Sequence, residues 1–299
     1  MWLRALSRSQ NQGRNFTAKV SNMQRDTRKS IPTPKGFLLL IFLTLAPIIG
    51  WGADLIREQR IQAQIQDAIL EGEAVQIEDG TRPFLGILTR SEWQPPRGAA
   101  VILHGRGANP DWLDIIHPLR TRLPAFGWDT LSIQLPLAAA GARDEEWRAT
   151  IPEALPRIEA ALRLLEQRGT ENIVLISHSF GNQAAARFLA ENPGRGIRAW
   201  VGIGISTDSS IRGAGTLSNL GRLKLPVLDL YGENDLASVT ASAVDRRLAA
   251  RDADNPDYEQ REIVGVDHFF SGQDELLVSI VKSWLARAAT DPNQRPASN

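Results

Sequence analysis

The sequence predicts an α/β fold: a mostly parallel, twisted sheet of about eight strands with helices on both faces and a minimal cap. Short apolar runs alternate with amphipathic stretches along most of the chain. The runs are nearly continuous in apolar residues, as in strands that are buried on both faces. The length of 299 residues and the apolar share of 42% provide for a sizeable buried core.

The elements follow in the order that such a fold needs. An amphipathic connecting helix is predicted over 54–71, a single domain over 72–289 and a polar tail over 290–299. The predicted strands are two around the Glu78-Asp79-Gly80 turn, then 99–105, 128–136, 172–179, 199–206, 225–232 and 259–266. The predicted helices are 109–116 with Asn109 as N-cap and Pro118 as its break, 151–168, 180–191, 239–250 and 272–288. The connection 207–224 is short, which predicts at most a small cap.

The first 35 residues form a strongly basic head. They contain eight basic side chains and one acid, Asp26, a net charge of +7, whereas the whole chain has 34 basic and 34 acidic residues. The body after this head is therefore mildly acidic, which argues against nucleic acid as the main partner. We expect the head over 1–35 to be disordered.

An apolar run, 36–53, follows the basic head directly and contains no charged residue. This arrangement is typical of a membrane-targeting segment, with the basic side in the cytoplasm. Two outcomes stay open: cleavage after Gly52, which gives a periplasmic or secreted protein, and retention as an anchor helix. Met23 is an alternative to Met1 as the start, because it leaves a head of ordinary length.

The composition excludes several chemistries. The chain has no cysteine, which excludes a disulfide scaffold, cysteine-ligated zinc, iron–sulfur clusters and a cysteine nucleophile. Its four histidines are scattered without a His-x-x-x-His pair, so we predict no metal site. Gly202-Ile203-Gly204 lacks the remaining spacing of a dinucleotide-binding loop, and we interpret it as close packing within a strand. We predict no cofactor.

The most informative segment is Ser177-His178-Ser179-Phe180-Gly181. It follows a predicted buried strand and precedes a predicted helix. A serine on so sharp a turn presents its hydroxyl above the sheet. A hydroxyl needs a base to take its proton and a third group to orient that base. Ser179 is therefore the candidate nucleophile.

The chain supplies an acid and a base after later strands. Asp235 follows the strand predicted over 225–232, and His268 follows the strand predicted over 259–266. Loops after parallel strands open on one edge of a sheet, so Ser179, Asp235 and His268 can converge there. Residues of the same types compete for these roles but fit them less well: Asp229, Glu233, Asp267, His104, His117 and His178.

His104-Gly105-Arg106-Gly107 comes directly after another apolar strand. Glycines at this place let backbone N–H groups approach a reacting carbonyl. The backbone N–H groups of Arg106 and Phe180 are therefore the candidate oxyanion hole. The side chains that we expect to line the substrate pocket are His104, Trp112, Leu137, Trp147, Phe269 and Phe270.

In order, spacing and strand context, the motifs HGRG, SHSFG, YGEND and DHFF resemble the α/β-hydrolase superfamily over about residues 72–289. The stretches HGRGANPDW, HPLR and GWDTLSIQLP are similar to an uncharacterised group of exported bacterial α/β-hydrolases, which implies a place in the bacterial cell envelope. The resemblance implies Ser179 as nucleophile, Asp235 as acid and His268 as base. Ser177 departs from it, since the superfamily usually has glycine there.

These features together predict an exported serine hydrolase of the carboxylesterase or thioesterase type. It would transfer the acyl group of a small-molecule ester or thioester to water. The alternative is a catalytically inactive α/β-hydrolase fold that serves as a binding or scaffold protein of the cell envelope. The membrane is a partner only if the N-terminal segment is retained, and we assign no oligomeric state from the sequence.

Overall fold

Strands and helices alternate along the residues that this computed structural model describes, 52–207 and 215–289. The strands are β1 (Glu73–Glu78), β2 (Pro83–Thr89), β3 (Gly98–Leu103), β4 (Trp128–Ile133), β5 (Ile173–His178), β6 (Ile197–Ile203), β7 (Val227–Asn234) and β8 (Tyr258–Asp267). The helices are α1 (Leu55–Ala68), α2 (Ile116–Arg122), α3 (Asp144–Ala149), α4 (Ile151–Gln167), α5 (Gly181–Glu191), α6 (Thr216–Leu220), α7 (Ala237–Thr240), α8 (Ala243–Asp252) and α9 (Asp274–Ala288).

The strands form one eight-stranded sheet in the order β1-β2-β4-β3-β5-β6-β7-β8. β2 is antiparallel to both β1 and β4, and every further pair is parallel. The register pairs Leu103 with Ser177, His178 with Ile203, and Ile203 with Leu230. The C-terminal ends of β3, β5, β6 and β7 therefore meet at one edge of the sheet, here called the C-terminal edge.

Apolar side chains cover both faces of the sheet. Alternate residues of β3 belong to two separate cores: Val101 and Leu103 pack with α4 and α5, whereas Ala100 and Ile102 pack with α2 and α9. Burial on both faces explains why β3 to β7 are almost continuously apolar in sequence.

α1 packs against the sheet through apolar side chains and is capped at its N-terminus. Ile65 packs against Leu85 and Ile87 of β2. The side chain of Asp54 accepts a hydrogen bond from the Arg57 backbone N–H at 3.0 Å, which satisfies a donor in the first turn of the helix.

The helix predicted over 109–116 is wrong. Asn109 instead closes a tight turn, because its side chain accepts a hydrogen bond from the Asp111 N–H at 2.8 Å. The helix begins later, at Ile116, and contains Pro118 in its first turn. A proline in the first turn loses no intrahelical bond, so Pro118 does not break this helix.

The single helix predicted over 239–250 is divided into α7 and α8. At the junction, side chains donate hydrogen bonds to backbone carbonyl groups that would accept backbone N–H groups in a continuous helix. The Ser242 hydroxyl donates to the Ser238 carbonyl at 2.6 Å, and Arg246 Nη1 donates to the Val239 carbonyl at 2.7 Å. These bonds compete with the regular backbone pattern and end α7.

Three sequence predictions fall outside the described residues: the basic head over 1–35, nearly all of the apolar run over 36–53, and the polar tail over 290–299. Within 52–207 and 215–289, none of the helices combines the length and the apolar character that crossing a membrane requires.

Candidate active site

Ser179 lies on the sharp turn between β5 and α5, with a backbone φ of 54°. Its N–H donates to the Ile203 carbonyl of the neighbouring strand at 2.9 Å. The turn also needs glycine at 181, because a Cβ there would lie 2.7 Å from the His104 carbonyl oxygen. The local sequence thus places the Ser179 hydroxyl at the C-terminal edge, as expected for a nucleophile elbow.

The Ser179, His268 and Asp235 side chains meet at this edge. Ser179 Oγ lies 2.9 Å from His268 Nε2, and His268 Nδ1 lies 2.5 Å from Asp235 Oδ1. The Asp235 and His268 side chains are almost completely buried. A carboxylate only accepts, so Nδ1 carries the proton and Nε2 is free to accept the hydroxyl proton of Ser179.

Gly204, directly after β6, lies against the His268 imidazole. Its φ is +62°, and a Cβ on it would lie 2.9 Å from His268 Cε1 and 3.4 Å from Asp235 Oδ2. The sequence interpretation of Gly202-Ile203-Gly204 as strand packing is correct for Gly202, whose added Cβ would meet Ile205. It is wrong for Gly204, which makes room for the imidazole.

The loop after β3 approaches the elbow closely. A Cβ on Gly105 would lie 3.2 Å from Ser179 Cβ. Among the described residues, neither the Arg106 N–H nor the Phe180 N–H has a hydrogen-bond partner. Both donors are therefore available to a ligand, which is the property that an oxyanion hole requires.

His104 fixes the direction of this loop. Its Nε2 accepts from the Leu135 N–H at 3.0 Å, so its Nδ1 carries the proton and donates to the Gly105 carbonyl at 2.8 Å. The carbonyl of Gly105 and the N–H of Arg106 belong to one trans peptide and point in opposite directions. Burial lowers the pKa of His104 to about 4, so the ring is neutral at physiological pH.

A groove of about 290 Å³ opens beside Ser179. One wall is aromatic, because Trp147 and Phe180 meet edge to face with ring centroids 5.6 Å apart. Arg106 lies over the Trp147 ring and is held by Asp144 at 2.5 Å. The groove is lined by Arg106, Asp144, Trp147, Arg148, Ser179, Phe180, Gln183, Ser206, Thr207, Leu236 and Ser238.

Three of the six pocket predictions are wrong, because the side chains of His104, Leu137 and Phe270 are buried. His104 and Leu137 are buried and do not line the groove. The His104 ring accepts from the Leu135 N–H, and the Leu137 N–H donates to Glu58 of α1. Phe270 is only 1% exposed and belongs to the core on the α9 side. Trp112, in the turn before α2, is 37% exposed and does not line this groove, so its assignment to the substrate pocket stays a prediction.

Trp147 and Phe269 do lie at the site. Trp147 lines the groove. Phe269 is 42% exposed, and its ring centroid lies 5.1 Å from that of His268, so it borders the site from the side of the base.

Several groove residues have no signal in the sequence. These residues lie on α5 (Gln183), on α7 (Ser238) and in the loops after β6 and β7 (Ser206, Thr207 and Leu236), and only the folded chain brings them together.

The competing acids and histidines have other partners. Asp229 is a buried ion-pair partner of Arg246 at 2.7 Å, and Glu233 accepts from the Gly265 N–H. Asp267 accepts from two backbone N–H groups of its own loop, which lowers its pKa. His117 binds Asp111 on the surface.

His178 directly precedes Ser179 and is buried beneath the turn. Its Nε2 donates to the His268 carbonyl at 3.0 Å, and the centroids of the two rings lie 4.7 Å apart. Burial, reinforced by the neighbouring His268, lowers the pKa of His178 to about 3. His178 therefore remains neutral and holds the backbone of His268. Over the described residues, no group of three or more side chains with metal-ligating atoms is arranged to hold an ion.

Comparison with known proteins identifies a family by sequence. The model of a family described as "Protein of unknown function (DUF3530)" matches residues 24–155 and 142–287. The chain belongs to the DUF3530 family. A search of curated proteins finds no match to this DUF3530 chain.

Solved structures resemble the DUF3530 chain in fold at low identity. Est1E from Butyrivibrio proteoclasticus is 16% identical with a TM-score of 0.55, over 73% of this chain and 99% of that one. The Pyrococcus furiosus esterase Pf2001 is 17% identical with a TM-score of 0.58, over 75% and 94%. The esterase domain of a Rhodothermus marinus protein is 16% identical with a TM-score of 0.56, over 74% and 100%. The predicted α/β-hydrolase fold is confirmed.

Proposed function

We propose that the protein is a serine hydrolase that cleaves small-molecule carboxylic esters or thioesters. The observation that carries this proposal is the continuous contact from Ser179 Oγ to His268 Nε2 at 2.9 Å and from His268 Nδ1 to Asp235 Oδ1 at 2.5 Å. This arrangement has the hydroxyl, the base and the orienting carboxylate that acyl transfer requires.

The proposed reaction proceeds through an acyl-enzyme. Ser179 Oγ attacks the substrate carbonyl while His268 Nε2 takes the hydroxyl proton, and Asp235 stabilises the resulting imidazolium. The Arg106 and Phe180 N–H groups donate to the oxygen that becomes negative. His268 then protonates the departing alcohol or thiol. Water, deprotonated by His268, releases the acid and restores Ser179.

Two observations support a small ester as substrate. The groove beside Ser179 has about 290 Å³ and an aromatic wall of Trp147 and Phe180. Several of the structures that share the fold are esterases, and one structure of Est1E has ferulic acid bound. Arg106 is paired with Asp144, so we do not assign it to binding a substrate carboxylate. The proposed reaction needs no cofactor.

Hydrolysis of a substrate panel tests this function. We expect the purified protein to cleave a short acyl ester, a long acyl ester or an acyl thioester faster than a dipeptide. Replacing Ser179→Ala should lower kcat roughly 10⁴-fold or more, because it removes the nucleophile. A folded protein without activity on any member of the panel would contradict the proposal and favour the scaffold alternative.

We also propose that the protein works in the bacterial cell envelope. The basic head over 1–35 and the apolar run over 36–53 support export. N-terminal sequencing of the protein from separated membrane and soluble fractions tests this. A mature N-terminus after Gly52 would indicate cleavage, and an intact run in the membrane fraction would indicate an anchor. An intact chain in the cytoplasm would contradict export.

A further inference from the structure

Ser177, the residue that departs from the superfamily pattern, lies within a buried chain of hydrogen bonds. Trp200 Nε1 donates to Ser177 Oγ at 2.7 Å. Ser177 Oγ donates to Asn182 Oδ1 at 2.6 Å, and Asn182 Nδ2 donates to the Ile203 carbonyl at 2.8 Å. The Trp200, Ser177 and Asn182 side chains are buried. The chain therefore connects β6, β5 and α5 beneath the elbow.

The direction of every bond in this chain is fixed by its two ends. An indole N–H can only donate, so Ser177 Oγ must accept from Trp200. The Ile203 carbonyl can only accept, so the amide nitrogen of Asn182 faces it and the amide oxygen faces Ser177. One proton arrangement satisfies all members. Such a network restricts its side chains to a single geometry.

Both ends of Asn182 act on the backbone of the nucleophile. The Ile203 carbonyl that accepts from Asn182 Nδ2 also accepts the Ser179 N–H at 2.9 Å. The Asn182 N–H in turn donates to the Ser179 carbonyl at 3.0 Å. Ser179 has a φ of 54°, which a non-glycine residue keeps only where its surroundings enforce it. The chain from Trp200 to Ile203 is part of that enforcement.

We propose that Ser177, Asn182 and Trp200 are positioning residues for Ser179, an inference that rests on the proposed function. A glycine at 177 would leave Trp200 Nε1 and Asn182 Oδ1 without partners in a site that water does not reach. The serine is thus a working part of this elbow. Its role is to keep Ser179 Oγ at the 2.9 Å distance from His268 Nε2.

Replacing Ser177→Ala tests the proposal, with a fluorophosphonate probe and the best ester of the panel. Without the Ser177 hydroxyl, the amide oxygen of Asn182 loses its donor, and the Asn182 side chain is less firmly oriented towards the Ile203 carbonyl. We expect kcat to fall about tenfold or more with KM unchanged within about twofold, since small misplacements of reacting atoms are costly. The rate of phosphonylation should fall by the same factor, while the number of labelled sites per molecule stays at that of the wild type.

Thr130→Val is the matched control. Thr130 is also buried, and its hydroxyl donates to the Arg120 carbonyl at 2.7 Å. Thr130 pairs with Ala100 of β3, whereas Ser177 pairs with Leu103 of the same strand. The two positions are therefore separated by three residues, roughly 10 Å, along β3. We expect Thr130→Val to lower the melting temperature about as much as Ser177→Ala does. Its phosphonylation rate per labelled site should equal that of the wild type.

Non-additivity provides a second readout. If Ser177 acts through Asn182, the double variant Ser177→Ala/Asn182→Ala should turn over no more slowly than Asn182→Ala alone. Trp200→Phe should have a smaller effect than Ser177→Ala, because the bond from Ser177 to Asn182 survives. A rate per labelled site in Ser177→Ala that equals that of Thr130→Val would overturn the positioning role. A wild-type protein that is not labelled at all would instead refute the proposed function.

Discussion

Ser179 keeps a backbone conformation that side chains avoid. A non-glycine residue at a φ of 54° costs roughly 1–2 kcal/mol. The hydrogen bond to the Ile203 carbonyl and the close approach of Gly181 to the strand β3 hold it there. This strain is what projects the hydroxyl towards His268, so it belongs to the function of the elbow.

Gly204→Ala should disable the base without unfolding the protein. The new methyl group would lie 2.9 Å from His268 Cε1, so the imidazole must move away from Ser179. We expect kcat to fall roughly 10²-fold, the loss associated with a displacement of about 1 Å. Steady-state kinetics and circular dichroism measure the two parts of this prediction.

Gly196→Ala is the control for Gly204→Ala. Gly196 directly precedes β6, whereas Gly204 directly follows it. Gly196 also has a positive φ, +80°, but an added Cβ would contact nothing within 4 Å. Both variants therefore acquire similar backbone strain, and only one touches the base. Equal activities in the two variants would contradict the placement of Gly204 against His268.

His178 should make stability depend on pH. Burial lowers its pKa from 6.5 to about 3, so the folded state disfavours the charged ring. The unfolded chain binds the proton first as pH falls, and the stabilisation present above pH 6.5 is lost below it. From pH 7.5 to pH 5 this residue alone should remove about 2 kcal/mol from the free energy of unfolding.

Urea unfolding of the wild type and His178→Gln at both pH values measures this contribution. The glutamine amide can still donate to the His268 carbonyl but does not titrate. Other groups, among them His104 and Glu58, contribute equally to both proteins and cancel in the comparison. Identical pH dependence in the two proteins would show that His178 does not titrate differently on folding.

The order of side chains after strand ends was enough to predict the contact of Ser179, Asp235 and His268. Gly204 and Asn182 escaped prediction for a physical reason. Gly204 acts through its contact with the His268 ring, which lies 64 residues further along the chain. Asn182 acts through its hydrogen bond to a backbone carbonyl of β6. Such contacts depend on the register between strands, which local sequence patterns do not encode.

At the scale of elements, α1 is fastened to the domain by a buried charge pair. Glu58 Oε2 lies 2.9 Å from Arg157 Nη2 on α4, and both side chains are nearly inaccessible. Glu58 Oε1 accepts from the Leu137 N–H at 3.0 Å, and Arg57 Nη1 donates to the Ala138 carbonyl at 3.2 Å. Leu137 and Ala138 pack against Trp147 of the groove wall. The helix α1 therefore supports one side of the candidate site.

Glu58→Ala should destabilise the fold by about 3 kcal/mol, because it leaves the Arg157 guanidinium buried without its main partner. Chemical denaturation measures the loss. Glu191→Ala breaks the exposed Arg187–Glu191 pair and should cost no more than about 0.5 kcal/mol. Similar losses in the two variants would argue against the docking of α1 through Arg157.

Element types followed from sequence better than element ends did. All eight strands were predicted, and for β3 to β7 the signal is the apolar run that burial on both faces leaves. The helices after β3 and β7 were misplaced because side chains, those of Asn109, Ser242 and Arg246, take the backbone groups at their ends. The bond from Arg246 depends on tertiary packing, because the same guanidinium pairs with Asp229 on β7.

At the scale of the whole molecule, five loops build one site. They follow β3, β5, β6, β7 and β8 and supply, in that order, Arg106, Ser179, Gly204, Asp235 and His268. The parallel sheet brings these loops to a single edge, although the residues are far apart in the chain. The sheet thus fixes the positions of the loops, and the loops supply the residues of the candidate site.

Mass mapping after reaction with a fluorophosphonate tests the central claim most directly. The probe bonds covalently to a serine oxygen only where a base activates it. We predict one adduct per molecule, on Ser179, and none on Ser206 or Ser238, which line the same groove. A folded protein that stays unmodified, or an adduct on another serine, would contradict the account.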